Sequence, residues 1–154
     1  MSSRTESDLA RRAWRSIRAL IASPDVVAAE HAFMHDVGLT AGPIRALRAM
    51  REVGPQSMRV LADRLGCDKS YVTSLVKPLL AKDLVTLEPD PSDGRVKVVT
   101  LTQKGSRLAE RAQQVHESPP AMLGKLSLED LQHLSLLLER AQGAVQRDDD
   151  YLDR

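Results

Sequence analysis

Apolar residues recur at helical spacing toward both ends of the chain, and between them the period shortens to strict alternation. Leu9, Ala13, Ile17, Leu20 and Ile21 form one stripe, with Arg11, Arg12, Arg15 and Arg18 off it. This pattern predicts a helix from about Glu6 to Ala22, ended by Ser23-Pro24. Val26 to Val37 predicts a second helix, stopped by Gly38. Thr40 stands where an N-cap belongs, Pro43 falls in a first turn that tolerates it, and Ile44, Leu47 and Met50 share one face. A third helix is therefore expected, closed by Gly54-Pro55.

Ser57 is placed to cap a fourth helix whose inward residues are Val60, Leu61 and Leu65, and Gly66 suits its left-handed end. Asp68 offers a carboxylate to the free amides of a fifth, Lys69 to about Asp83, with Val72, Leu75, Val76 and Leu79 turned inward. A turn of about three residues joins the two, which is helix-turn-helix spacing. Pro78 removes an amide that would bond back to Ser74, so a kink or local loosening is expected there. The alternating segments, Leu84 to Glu88 and Arg95 to Leu101, then flank Pro89-Asp90-Pro91-Ser92-Asp93-Gly94 and predict a hairpin with a longer loop. Thr102 opens a helix from Gln103 to about Glu117, stopped by Pro119-Pro120. Ser127-Leu128-Glu129-Asp130 is a capping-box-like start to the last helix, expected to run to about Gln146 along Leu131, Leu134, Leu137 or Leu138, Ala141 and Val145. Asp148 to Arg154 is expected to be a frayed acidic tail.

The fold class that follows is mainly α with a small β-hairpin wing: a winged helix-turn-helix lobe over residues 39–105, plus helical regions at 5–37 and 118–147, in one subunit spanning 1–154. The first and last helices carry apolar stripes larger than a small lobe covers, which points to a second copy of the chain as partner. Leu9, Trp14, Ile17, Leu131, Leu134 and Leu138 are the expected dimer-interface residues.

Composition narrows the class. A chain of 154 residues, 42% apolar, builds a core without staples, and the lone Cys67 has no internal partner, which excludes a disulfide scaffold and suits a reducing compartment. The polar Met1 to Asp8 and the absence of any run near the ~20 apolar residues that span a bilayer lead to the expectation of a cytoplasmic protein without membrane association. Trp14, Phe33, Tyr71 and Tyr151 are too few for single-strand stacking platforms. The net charge of +1 divides unevenly: residues 43–111 hold 13 Lys and Arg against 8 Asp and Glu, so the middle is basic and the flanks acidic. No Gly-rich phosphate loop, nucleophile elbow or His-Glu-x-x-His motif is present, so no enzyme and no cofactor is expected. His31 and His35 stand one helical turn apart, but two imidazoles fall short of a zinc site, and no metal is expected.

A helix-turn-helix followed at once by a hairpin lets one rigid unit grip two grooves of double-stranded DNA. Lys69, Ser70, Tyr71, Thr73, Ser74 and Lys77 point outward from the second helix, and their ammonium and hydroxyl groups suit phosphates and base edges. Ser57, Arg59, Ala62 and Gly66 are the expected supports of the motif. Four stretches are distinctive: Gly38-Leu39-Thr40; Leu61-Ala62-Asp63-Arg64-Leu65; Ser70-Tyr71-Val72-Thr73-Ser74-Leu75-Val76; and Asp90-Pro91-Ser92-Asp93-Gly94-Arg95 leading to Val98-Val99-Thr100-Leu101-Thr102-Gln103-Lys104-Gly105. On these the chain resembles the MarR (multiple antibiotic resistance regulator) family of winged-helix transcription factors.

The resemblance implies a homodimeric repressor on a pseudo-palindromic operator, released by a small-molecule or oxidant effector at the junction of lobe and dimer helices. It also implies a wing in which Arg95 enters the minor groove and Asp93 orients it; Lys97, on the same hairpin, is a further expected DNA-binding residue. Three positions depart from the family pattern: Gly94 stands where relatives often carry a second arginine, Pro78 lies inside the recognition helix, and Asp83 stands where glycine is usual. A winged-helix module that binds protein instead of DNA is the alternative.

Overall fold

The computed structural model describes the backbone of residues 2–152 and the side chains of residues 5–143. Residues 27–118 pack as one unit, and the segments on either side, up to Val26 and from Pro119 onward, form another. The division falls inside a helix, so the lobe begins upstream of Leu39 and includes more than the expected 39–105.

Within the lobe the chain runs α2 (Pro24–Val37, whose first three residues belong to the other unit), α3 (Ala41–Val53), β1 (Gln56–Ser57), α4 (Met58–Leu65), α5 (Lys69–Ala81), β2 (Val85–Pro89), β3 (Lys97–Leu101) and α6 (Gln103–Glu117). Helix α2 starts two residues before the expected Val26 because Pro24, with no amide to lose, suits a first helical position. The caps read from the sequence are in place. Ser57 Oγ accepts the Val60 amide, Asp68 accepts that of Tyr71 and Thr102 Oγ1 that of Gly105. Gly66 ends α4 in the left-handed region at φ 63°, ψ 39°. Thr40 has the extended backbone of an N-cap but makes no side-chain cap bond.

Several boundaries need correction. Helix α5 ends at Ala81, short of Asp83, because Asp83 itself turns left-handed at φ 56° and breaks the helical path. Pro78 sits inside α5, which continues past it as one helix. The strands are Val85–Pro89 and Lys97–Leu101, so Leu84 and Arg95 lie outside them. The sheet also has a third strand that the sequence does not announce: β1 pairs antiparallel with β3, Gln56 opposite Val99 and Ser57 opposite Val98, giving the order β1-β3-β2. Two residues are too few for a periodicity, and β1 exists only through that distant partner.

The lobe core is one apolar cluster. Leu47 and Met50 from α3, Leu61 from α4, Val72, Val76 and Leu79 from α5, and Val99 from β3 are all almost wholly excluded from water. Burial of each such side chain stabilises by about 1.5–3 kcal/mol, so helices and hairpin are held as one body. Gln56 interrupts the apolar pattern: its amide is buried, and neither its oxygen nor its nitrogen has a hydrogen-bond partner.

Helix α6 is seated on the end of the helix-turn-helix by its start. The Thr102 amide donates to Leu84 O at 3.0 Å and its hydroxyl to Asp83 O at 2.8 Å, while Lys104 Nζ donates to Lys82 O at 2.8 Å. Gly105 allows this approach, since a Cβ there would fall 1.8 Å from Leu84 O.

The other unit holds α1 (Ser2–Ile21), a 3-10 turn, Ala121–Lys125, that the sequence pattern does not announce, and α7 (Leu128–Leu152). Asp25 Oδ2 accepts the Ala121 amide at 2.6 Å, and this bond, first among its causes, holds the Asp25 carboxyl below its ordinary value. Ser127 Oγ accepts the Asp130 amide as the capping box requires. The expected end near Gln146 and the frayed tail from Asp148 are not what the backbone shows, because α7 continues to Leu152; the side chain of Val145 and residues 153 and 154 lie outside the described residues. The acidic composition that suggests a tail carries no helix-breaking residue.

Gly105→Ala tests the seating of α6. The added methyl has to displace the backbone of the strand entry, and the substitution should lower the unfolding free energy by about 3 kcal/mol, measured by urea denaturation.

Candidate nucleic-acid interface

The outward face of α5 is built from its N-terminus. Asp68 Oδ1 accepts the Ser70 hydroxyl at 2.5 Å and the Tyr71 amide at 3.0 Å, and these bonds, the hydroxyl first, hold its carboxyl below the usual range. The helix thus begins in a fixed direction. Lys69, Ser70, Tyr71, Thr73, Ser74 and Lys77 are all exposed on it, Tyr71 half so, while Val72, Leu75 and Val76 lock the opposite face into the core. The Thr73 hydroxyl donates to Lys69 O at 3.0 Å and that of Ser74 to Tyr71 O at 2.6 Å, so both protons are directed into the helix. Neither the Lys69 nor the Lys77 ammonium has a partner among the described residues.

Of the expected supports, Ser57 caps α4, Ala62 is buried beneath it, and Gly66 makes the turn, with the Cys67 amide returning to Ala62 O at 3.1 Å. Arg59 is exposed and has no intramolecular partner among the described residues. The structure adds supports that the sequence reading missed. Arg45 donates to Leu65 O at 2.7 Å, and Arg64 pairs with Glu52, so α3 grips both the end and the side of α4. These partners are twenty and twelve residues apart, with no periodicity to signal them. Cys67 is partly buried against the core.

At the wing, Asp90 Oδ1 accepts the Ser92 hydroxyl at 2.5 Å, the Ser92 amide at 2.7 Å and the Asp93 amide at 3.4 Å. These contacts depress the Asp90 carboxyl, the Ser92 hydroxyl most. Val96 N donates to Asp93 O at 2.9 Å and Asp90 N to Val96 O at 2.8 Å, closing the loop. Asp93, expected to orient Arg95, does so here through the backbone: its carboxylate accepts the Arg95 amide at 3.0 Å. The acid fixes where Arg95 leaves the chain and leaves its guanidinium without a partner among the described residues. Arg95 and Lys97 are both exposed, and Lys97 opens β3 opposite Pro89.

The lobe also holds concavities apart from this face. One, of about 200 Å³, is bounded by Phe33, Met34, Ile44 and Val115, with Arg48 and His116 at its edge. Another lies along α6. His31 and His35 are exposed on α2, and among the described residues no three His, Cys, Asp or Glu side chains converge as metal ligands. No described helix is long and apolar enough to cross a membrane.

A capped helix-turn-helix carrying a three-stranded wing defines a winged-helix protein. The sequence profile of the MarR family matches residues 37–96. YxaD of Bacillus subtilis, an uncharacterized HTH-type transcriptional regulator, is 34% identical over 99 residues, covering 64% of this chain and 69% of that protein. The HTH-type transcriptional repressor NicR of Pseudomonas putida is 36% identical over 75 residues, 49% of this chain and 48% of its own. A mutant MarR of E. coli, solved in complex with operator DNA, superposes with a TM-score of 0.58 at 21% identity, over 82% of this chain and 91% of that one. The chain belongs to the MarR family and is a transcriptional regulator of the DNA-binding, winged-helix class.

The Asp68 cap gives the helix a pH signature. Folding lowers the Asp68 pKa, so the cap stabilises the native state in full above its ordinary value of 3.8 and is lost as the pH falls through the lowered one. Asp68→Ala should therefore lower the urea midpoint at neutral pH, and the gap from the unsubstituted protein should close in acid below that value.

Proposed function

We propose that this protein is a repressor that binds a pseudo-palindromic operator as a homodimer. The observation that carries the reading is the pairing, within one rigid lobe, of a helix face that presents two lysine ammonium groups among exposed hydroxyls with a wing arginine, all three cations unpaired among the described residues. Each lobe lays Lys69, Ser70, Tyr71, Thr73, Ser74 and Lys77 in a major groove, with Lys97 near the backbone. Arg95 reaches the adjacent minor groove, whose negative potential a guanidinium answers well. Support for repression comes from the likeness to NicR, and support for the operator mode from the likeness to the MarR complex.

The dimer rests on apolar surface. Leu9, Trp14 and Ile21 on α1, and Leu128, Leu136, Leu137 and Leu138 on α7, are each at least 40% exposed, while Ile17, Leu131 and Leu134 are half-buried. Such a set leaves more hydrocarbon in water than a monomer retains, and a symmetric second copy covers it. Two lobes then engage half-sites about one helical turn, roughly 34–36 Å, apart. A small effector would lodge at the cavity of Phe33, Met34, Ile44 and Val115, and it would release DNA to the extent that it prefers the unbound arrangement.

Two measurements test this reading. Arg95→Ala should weaken operator binding and reduce the slope of log K against log salt by about 1; a salt titration unchanged by the substitution removes the wing from the interface. Leu134→Glu combined with Leu138→Glu should convert the dimer to monomer in sedimentation velocity, and a dimer unaffected by both charges overturns the assigned interface.

A further inference from the structure

The second cleft of the lobe has a volume of about 520 Å³ and lies against α6, well within the range of small-molecule sites. Its charged lining is Lys82, Lys104, Arg107 and Arg111 against a single acid, Asp36. That acid is already committed, since Arg111 donates to Asp36 Oδ2 at 2.9 Å. Lys104 spends one proton on Lys82 O. The Lys82 ammonium and the Arg107 guanidinium, by contrast, have no hydrogen-bond or ion-pair partner among the described residues. The Lys82 ammonium is held over Gly38, 3.3 Å from where a Cβ of that residue would stand.

The apolar part is supplied by Val37, Leu84 and Leu108. The rim is set in advance, because residues 82–84 are bonded to the start of α6 through Thr102 and Lys104. A cleft with three uncompensated cations answers a group of more than one negative charge. A phosphate monoester carries about −1.5 to −2 at neutral pH, and its oxygens match the planar fork of arginine. A carboxylate brings one charge only.

We propose that this cleft binds a small organic phosphate, a phosphomonoester with a compact apolar body. Arg107 and Lys82 hold the phosphoryl oxygens, Lys104 adds a third donor, and Val37, Leu84 and Leu108 receive the apolar body. An occupant so placed spans the end of α5 and the flank of α6. None of its ligands is on the outward face of α5 or on the wing, so the assignment is independent of the DNA-binding reading.

Isothermal titration of the full chain at low salt and near-neutral pH, with phenyl phosphate as probe, tests it. The expected result is saturable binding of one equivalent per chain, tighter than that of inorganic phosphate, which lacks the apolar body, and tighter than that of benzoate, which lacks the second charge. Lys82→Gln with Arg107→Gln should weaken phenyl phosphate at least about tenfold, while Arg95→Ala, with its lone cation on the wing, leaves it unchanged. Arg107→Gln alone, at an exposed position free of intramolecular bonds, serves as the second variant and should weaken binding several-fold. Absence of saturation, an affinity indifferent to the Arg107 substitution, or a loss matched by Arg95→Ala overturns the proposal.

Discussion

Everything that this lobe presents outward depends on one shared apolar core. Leu61 of the first motif helix, Val72 and Leu79 of the second, and Val99 of the central strand meet in a single cluster without water. Helix α5 and the wing therefore do not find their relative placement through loops; they are two surfaces of one packed body. This matters because the exposed cations, Lys69, Lys77 and Arg95, are long and unpaired among the described residues, and only their points of departure are fixed. Close-packed interiors transmit little slack, so the core supplies the geometry that the exposed groups lack.

Polar contacts extend that rigidity to the ends of the elements. Asp68 starts α5, Asp90 folds the wing loop, and Asp93 holds the backbone of Arg95. In each case a short acid is consumed by nearby amides and hydroxyls, and the neighbouring cations are left uncompensated. Part of the positive charge of residues 43–111, that of Lys69, Lys77 and Arg95, is thereby left exposed and unpaired among the described residues on α5 and the wing.

The legible part of the fold was its local chemistry. Ser57, Gly66, Asp68, Thr102 and Ser127 each act within about four residues of themselves, and each occupies the cap or turn its sequence neighbourhood predicts. The outward residues of α5 were equally readable, since a helical period separates Thr73 and Lys77 from Val72 and Val76. Illegible were features created by distant partners. Strand β1 is a strand only because Val98 and Val99 lie beside it, and Arg45 and Arg64 brace α4 by contacts with no periodic trace. The wing acid shows a finer limit: the residues Asp93 and Arg95 were identifiable, but whether the carboxylate takes the guanidinium or the amide is decided by loop geometry. Likewise, an acidic run gave no reason for a helix to stop, and α7 does not stop there.

The contact of Gly105 with the Leu84 carbonyl bears on how this scaffold can change over generations. A backbone oxygen cannot rotate away as a side chain can, so the position is closed to the other nineteen amino acids for as long as α6 stays seated. Lineages that diversify their recognition helix or wing inherit that prohibition intact. Variation is thus channelled to surfaces, while the angle between α6 and the strand entry is held by steric exclusion together with the Thr102 and Lys104 bonds.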